Sequence, residues 1–140
     1  MERKVKIHQF DPEIYPFKLW IVITKDKAIG ERFVYIKTKQ EINTDVIILN
    51  EALTYHIEER ETGYKGCLIV FSEKRYMSIK TIAHEATHAA RMFWDQIGES
   101  PTGEEADAYL VGWIAKCIDE VKRFKEDRVE QLIEDIPTKE

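Results

Sequence analysis

The chain has 140 residues, of which 44% are hydrophobic and 11% aromatic, so it is long and apolar enough to form one folded domain and is not intrinsically disordered. Its 21 basic and 26 acidic residues give a formal charge of −5, which disfavours binding to nucleic acid through its phosphates. The apolar runs are too short to cross a bilayer and Met1 to Phe10 contains no secretory h-region, so we expect a soluble, cytosolic protein with no membrane partner.

The first part of the chain, residues 1–75, is predicted to be rich in β-strands. Short β-branched or aromatic runs predict strands at Val5–Phe10, Lys18–Thr24, Arg32–Lys37 and Val46–Leu49. A turn is expected at Asp26–Gly30, between the second and third runs. Apolar residues alternate with polar ones around Leu53, Tyr55 and Ile57, which indicates a half-exposed strand. The segment Thr62–Gly66 then closes a hairpin onto the strand Cys67–Phe71.

The remainder, residues 78–136, is predicted to be helical. Three helices are expected, at Ser78–Ile97, Gly103–Phe124 and Asp127–Ile136. Ser78 is suited to the N-cap of the first helix and Gly98 to its end. The apolar stripe of this helix consists of Ile79, Ile82, Ala83, Ala86, Ala90, Phe93 and Ile97. The third helix has a narrow apolar stripe, for which docking on the same chain is favoured over docking on a second subunit. The oligomeric state stays open.

The second helix also has an apolar stripe, and this stripe includes Tyr109, which we therefore expect in the core. Its other members are Ala106, Leu110, Trp113, Ile114, Cys117, Ile118 and Val121. Cys67 and Cys117 lack the paired spacing of a zinc knuckle and are expected to be buried thiols. The expected fold is α+β, with a mixed or mostly antiparallel N-terminal sheet packed on the first helix of residues 78–136 and two further helices after it, in a single domain over residues 1–140.

The first helix contains the pentapeptide His84-Glu85-Ala86-Thr87-His88, whose spacing is typical of a metal-dependent hydrolase. One turn separates the two histidines, so their side chains leave the helix only about 40° apart around its axis. Two imidazoles in this arrangement can bind one zinc ion, and Glu85 projects beside them. Such a short motif also arises by chance, but these histidines lie off the apolar stripe of a well-formed helix. The pattern therefore favours a metal site over a pair of structural histidines.

A catalytic zinc needs a third protein ligand, and acidic residues in the first turn of the next helix are the candidates. They are Glu104, Glu105 and Asp107. The same residues have an ordinary structural interpretation, because Thr102 and Glu105 match a capping box and acids are favourable at any helix N-terminus. We favour ligation by Glu105, with Glu104 as the alternative.

These two motifs together resemble the gluzincin branch of zinc metallopeptidases, which have an HExxH helix and a glutamate from a later helix. More narrowly, residues 66–118 resemble small zincin-like proteins that phages and prophages often encode. Within Glu104-Glu105-Ala106-Asp107-Ala108-Tyr109, the resemblance fits Glu105 followed by Ala108 and Tyr109. The peptidase pattern Glu-x-x-x-Asp would place its glutamate at Gly103, so no role is transferred to Asp107.

The resemblance implies a zincin-like domain with one Zn²⁺ per chain, bound by His84, His88 and Glu105, and with Glu85 as the general base that activates water. It also implies an edge strand that pairs with extended substrate, for which Gly66 to Ser72 is the candidate. A donor to the oxyanion is needed as well. Tyr109, Tyr64, Tyr76, His56 and Arg91 remain open for this role. If the chain is phage-encoded, its compartment is the host cytosol.

Three functions are compatible with the sequence. The preferred one is a zinc-dependent peptidase that acts on a protein or peptide substrate. The second is a catalytically silent domain that zinc stabilises and that binds a partner protein. The third is a metal-dependent hydrolase of a non-peptide amide. The presence of Glu85 argues against the silent domain, because an idle site has no chemical need for a base.

Overall fold

The computed structural model describes residues 6–13, 15–39, 51–98 and 104–125. Within them, the strands β1 (Ile7–Phe10), β2 (Phe17–Ile23), β3 (Ala52–Glu58) and β4 (Lys65–Phe71) form one mixed sheet in the order β1-β2-β4-β3. The β2 and β4 strands are parallel, and the β1–β2 and β3–β4 pairs are antiparallel.

Helices cover both faces of this sheet. The α1 helix (Lys27–Thr38) packs on one face, where its Phe33 and Val34 share a buried cluster with Trp20, Leu68 and Val70. The α2 helix (Ile79–Ile97) and the α3 helix (Glu104–Arg123) pack on the other face. Strand residues buried beneath α2 and α3 are Phe17, Leu19, Ile21, Cys67, Ile69 and Phe71. The α+β architecture, with an N-terminal mixed sheet packed on the helix that carries His84 and His88, is therefore confirmed.

The strand predicted at Arg32–Lys37 is wrong, because these residues belong to α1. The turn predicted at Asp26–Gly30 is wrong as well. Asp26 is the N-cap of α1 and its carboxylate accepts a hydrogen bond of 2.9 Å from the backbone N–H of Ala28. The β-branched and aromatic run of α1 misled the prediction, since packing of Phe33 and Val34 against the sheet outweighs their local β preference.

The edge strand predicted at Gly66 to Ser72 is also wrong. These residues overlap β4, which is hydrogen-bonded to β2 on one side and to β3 on the other. Among the described strands, β3 lies at one edge of the sheet, and it contacts the side of α2 that contains Glu85. A continuous apolar run such as Cys67–Phe71 is typical of an internal strand with both faces covered, which is the environment that β4 has.

The hairpin between β3 and β4 is confirmed, and its turn contains Gly63 at a φ of 72°. The boundaries of α2 are confirmed as well. Ser78 accepts a hydrogen bond from the backbone N–H of Thr81, and Gly98 ends the helix in the left-handed conformation. The strand predicted at Val46–Leu49, the helix predicted at Asp127–Ile136 and the capping residue Thr102 lie outside the described residues.

Most of the predicted core is buried, but Ile79, Ala83 and Tyr109 of the apolar stripes are exposed. Tyr109 is 75% exposed and Ile79 is 89% exposed, so the expectation of Tyr109 in the core is wrong. The core side of α3 is formed instead by Leu110, Ile114, Cys117, Ile118 and Val121. Cys67 and Cys117 are buried free thiols, as expected, and burial raises the pKa of both. Among the described helices, none has the length and apolar character needed to span a membrane.

Candidate metal centre

The α2 helix presents His84 and His88 to solvent while its opposite side is fixed to the sheet. Ala86, Ala89, Ala90 and Phe93 are fully buried against the strands. Near its C-terminal end, Gln96 Nε2 donates a hydrogen bond of 2.9 Å to the carbonyl oxygen of Gly66. Both histidines are exposed, on the face that the apolar stripe leaves free. The helix is therefore fixed in rotation, and its two imidazoles remain accessible from outside.

The two imidazoles converge on one point. The Nε2 atoms of His84 and His88 are 3.1 Å apart and the ring planes are at 79° to each other. Two nitrogens that each lie about 2.0–2.1 Å from a tetrahedral zinc ion are about 3.3 Å apart, which is close to this separation. The same distance suits an N–H···N hydrogen bond when one ring carries its proton on Nε2. The pair thus fits two ligand positions of one zinc ion.

Glu85 differs from its histidine neighbours because its side chain is buried, at 6% exposure. Its Oε1 accepts a hydrogen bond of 2.6 Å from the hydroxyl of Thr54 on the edge strand β3. A buried carboxylate needs such a donor, since burial without one is energetically costly. The carboxylate therefore lies between α2 and β3, on the residue that follows His84 in the chain.

The acids expected to supply the third ligand lie at the start of α3. Glu104 and Glu105 are exposed, whereas Asp107 faces α2, where it accepts a hydrogen bond of 3.0 Å from Trp94 Nε1 and pairs with Arg91 at 3.5 Å. Because Arg91 and Trp94 follow His88 along α2, the start of α3 lies beyond the histidines toward the C-terminal end of α2. Within the described residues, no group of three His, Cys, Asp or Glu side chains is close enough to hold a metal ion. The structure brings the imidazoles of His84 and His88 together and buries the carboxylate of the neighbouring Glu85 against Thr54, and neither Glu104 nor Glu105 forms a group of three with the histidines.

Three of the five side chains considered as oxyanion donors have other contacts, and a fourth lines a cleft whose lining does not include the histidines. Arg91 pairs with Asp107, the Tyr64 ring lies under Lys18 Nζ at 4.5 Å, and the Tyr76 ring stacks with Arg75. Tyr109 lines a surface cleft of about 580 Å³ between α3 and the connection from β1 to β2, together with residues that include Tyr15 and Trp113.

The fifth, His56, lies on the edge strand and on the same face as Thr54. Thr54 is paired with Ile69 and His56 with Cys67, and both partners belong to the core beneath α2. Glu51 contacts Thr81 and Thr54 contacts Glu85, so the chain runs in the same direction along β3 and α2. The two residues from Thr54 to His56 advance roughly 6.6 Å, or about four residues of helix, which brings exposed His56 level with the turn that contains His88.

Thr54 is the residue at this site that the sequence did not reveal as functional. It stood out only as a polar member of an alternating strand, and such a threonine ordinarily faces solvent. Its contact with Glu85 depends on the pairing register of β3 with β4 and on the position of α2 across the sheet. Neither can be read from a local motif.

We compared the chain with protein-family models, with curated proteins and with solved structures, and none of the three comparisons returned a match.

Proposed function

We propose that the chain is a zinc-dependent metallopeptidase whose reaction takes place on the exposed face of α2. The observation that carries the proposal is the convergence of the His84 and His88 nitrogens to 3.1 Å beside the buried carboxylate of Glu85. His84 and His88 would hold the zinc ion through Nε2, with Glu105 as the expected third ligand and Glu104 as the alternative. A bound zinc ion supplies Lewis-acid chemistry, in that it lowers the pKa of water and polarises a carbonyl group.

Glu85 provides the proton transfers of the reaction. Its Oε1 is occupied by the Thr54 hydroxyl, and Oε2 makes no hydrogen bond within the described part of the chain, so Oε2 is the oxygen that receives a proton from water. The same oxygen then returns the proton to the nitrogen of the leaving amine. A carboxylate with one oxygen hydrogen-bonded to the protein and the other accessible to water suits these proton transfers, because the accessible oxygen keeps one position.

The edge strand β3 supports a peptide substrate in two ways. Its outer side has no partner strand among the described residues, so its backbone N–H and C=O groups are available to pair with an extended peptide. His56 lies on its α2-facing side, level with the turn of His88, and is the best-placed candidate to donate a hydrogen bond to the oxygen of the scissile carbonyl. The proposed partner is therefore an extended segment of a protein or peptide, and the proposed compartment is the cytosol.

The experiment that tests this function compares the wild-type chain with Glu85→Gln on an unbiased mixture of peptides. Both proteins are loaded with zinc, incubated with peptides from a digested bacterial proteome, and assayed by mass spectrometry for new peptide termini. Glutamine is isosteric with glutamate and its oxygen can still accept from Thr54, but it cannot accept a proton from water. We expect new termini from the wild type and a loss of about 100- to 10,000-fold in Glu85→Gln at unchanged zinc content.

Two results would count against the proposal. A zinc-loaded wild type that generates no new termini is not a general peptidase, and turnover of small amides would then favour a non-peptide substrate. Cleavage that persists in Glu85→Gln would mean that Glu85 is not the base.

A further inference from the structure

The hydrogen bond between Thr54 and Glu85 joins the edge of the sheet to the proposed catalytic base. Thr54 Oγ1 is 2.6 Å from Glu85 Oε1, which is within the short range typical of a hydroxyl that donates to an ionised carboxylate. Thr54 is half-buried on β3 and Glu85 is buried on α2. The two residues are 31 positions apart in sequence, so the bond depends on the packing of α2 against the sheet.

The chemistry of the two side chains explains what this bond can do. A glutamate side chain has three rotatable bonds and loses considerable entropy when it is held in one conformation. Threonine is β-branched and stiff at its first torsion, so its hydroxyl is a well-defined anchor. A donor on Oε1 restricts the conformations of the side chain, and Oε2 makes no hydrogen bond within the described part of the chain.

We propose that Thr54 is a positioning residue that holds Glu85 in its reactive orientation, an inference that rests on the proposed peptidase function. Thr54 acts through Glu85 and does not itself contact the scissile bond. Its removal should slow the chemical step without weakening the binding of substrate or zinc. A merely structural threonine would instead change stability alone.

The chain offers a matched control between the same two elements. Thr81, near the start of α2, donates a hydrogen bond of 3.2 Å to Glu51 Oε1, just before β3. Thr81→Val therefore removes a threonine–glutamate bond between helix and strand, one turn before Glu85, and leaves Glu85 in place. Any loss of kcat that Thr54→Val and Thr81→Val share reports weaker packing between α2 and the edge strand.

The first experiment measures kcat, KM and bound zinc for Thr54→Val, Thr54→Ser and Thr81→Val, using one peptide that the wild type cleaves. We expect Thr54→Val to lower kcat by about 10- to 100-fold, the loss typical when an outer hydrogen-bond partner of a metal site is removed, with KM and zinc content near wild type. Thr54→Ser retains the hydroxyl and should stay within about threefold of wild type, given that the donor to the carboxylate is preserved. Thr81→Val should retain wild-type kcat.

A second experiment tests the contact without activity. Melting temperatures of the chelator-treated full chain are measured for Thr54→Val, Glu85→Ala and the double variant. If the bond couples the two residues, the loss in the double variant is smaller than the sum of the single losses.

The outcomes separate this inference from the peptidase proposal. A Thr54→Val variant with wild-type kcat, a Thr54→Ser variant that fails to recover, equal losses in Thr54→Val and Thr81→Val, or additive melting losses would each overturn the role of Thr54 and leave the peptidase proposal intact. A wild type that cleaves no peptide overturns the peptidase proposal, and with it the positioning role, even where the melting temperatures show coupling.

Discussion

The Nε2 atoms of His84 and His88 lie 3.1 Å apart on the exposed face of α2, one helical turn from each other. Backbone geometry brings the two residues to the same side of the helix, but it does not by itself turn both rings toward a common point. The convergence of the nitrogens is therefore information beyond the spacing in the sequence. It makes binding of one metal ion by both rings the first property to test.

Replacement of either histidine should abolish stoichiometric zinc binding. We expect one zinc ion per wild-type chain by plasma mass spectrometry, and almost none in His84→Ala and His88→Ala. The same variants should melt at lower temperature than the zinc-loaded wild type, because a metal that binds the folded state stabilises it. A wild type without zinc after reconstitution would reduce the pentapeptide to a coincidence.

The third ligand can be identified by comparing two neighbouring acids. We expect Glu105→Ala to weaken zinc binding more than Glu104→Ala does, in a competition titration with a chromogenic chelator. Glu120→Ala, on the exposed side of α3 near its other end, is the matched control and should bind like wild type. The opposite ranking would assign the ligand to Glu104. Equal affinities in both variants would mean that neither acid is the ligand.

Local signals in the sequence predicted the part of the site that lies on one helix. Ser78, Gly98 and the apolar stripe define the ends and the buried side of α2, and these features leave His84 and His88 exposed. Such signals act over one or two turns, so they hold wherever the helix packs. The acids of α3 are a different case, because their distance from the histidines depends on how two helices pack.

The errors in the predicted fold have the same origin. The run Arg32–Lys37 has the composition of a strand, but Asp26 caps a helix there and the sheet buries one side of it. Among the described strands, the order places β4 inside the sheet and β3 at its edge, although both have the length and residues of a strand. Strand order depends on contacts between residues distant in sequence, which composition does not encode. The contact of β3 with Glu85 could be seen only from the sheet.

His56 provides a test of the proposed oxyanion donor. We expect His56→Ala to lower kcat by about 100- to 1,000-fold, as for the loss of one oxyanion donor elsewhere, with zinc content unchanged. Glu58→Ala is the control, since Glu58 is the next residue on the same face of β3 and is also exposed. Both variants are assayed at saturating concentrations of the same peptide. Wild-type kcat in His56→Ala would exclude this histidine from the reaction.

Substitution by alanine should change the free energy of unfolding in opposite directions at two glycines. A Cβ at Gly66 would collide with the backbone carbonyl of Lys18 and with the Trp20 ring, so Gly66→Ala should lower the free energy of unfolding by about 1–3 kcal/mol. A Cβ at Gly112, on the exposed side of α3, meets no atom within 4 Å, and Gly112→Ala should raise it by about 0.5–1 kcal/mol. Urea denaturation measures both. Equal stability of the two variants would contradict the close packing of β4 on β2.

His8 should make the stability of the fold sensitive to mildly acidic pH. It is partly buried in β1, with its ring edge-on to Phe124 at 4.8 Å, and burial together with the nearby Lys6 ammonium lowers its pKa from 6.5 to about 4. Between these two values the unfolded chain binds more protons than the folded chain, so stability falls as the pH drops from about 6.5 to 4. Above about 6.5 the residue is neutral in both states and contributes no pH dependence.

The test of this effect is the pH dependence of His8→Phe, which keeps an aromatic ring against Phe124 and removes the titrating group. Urea midpoints are measured at several pH values from 7.5 to 4.0 for the variant and the wild type, both with chelator so that loss of metal at acid pH does not contribute. Carboxylates protonate in both proteins over the same range, so the difference between their curves isolates His8. We expect the stability of His8→Phe to rise relative to that of the wild type as the pH falls below about 6.5. Parallel curves for the two proteins would contradict the prediction, because they would mean that folding does not lower the pKa of His8.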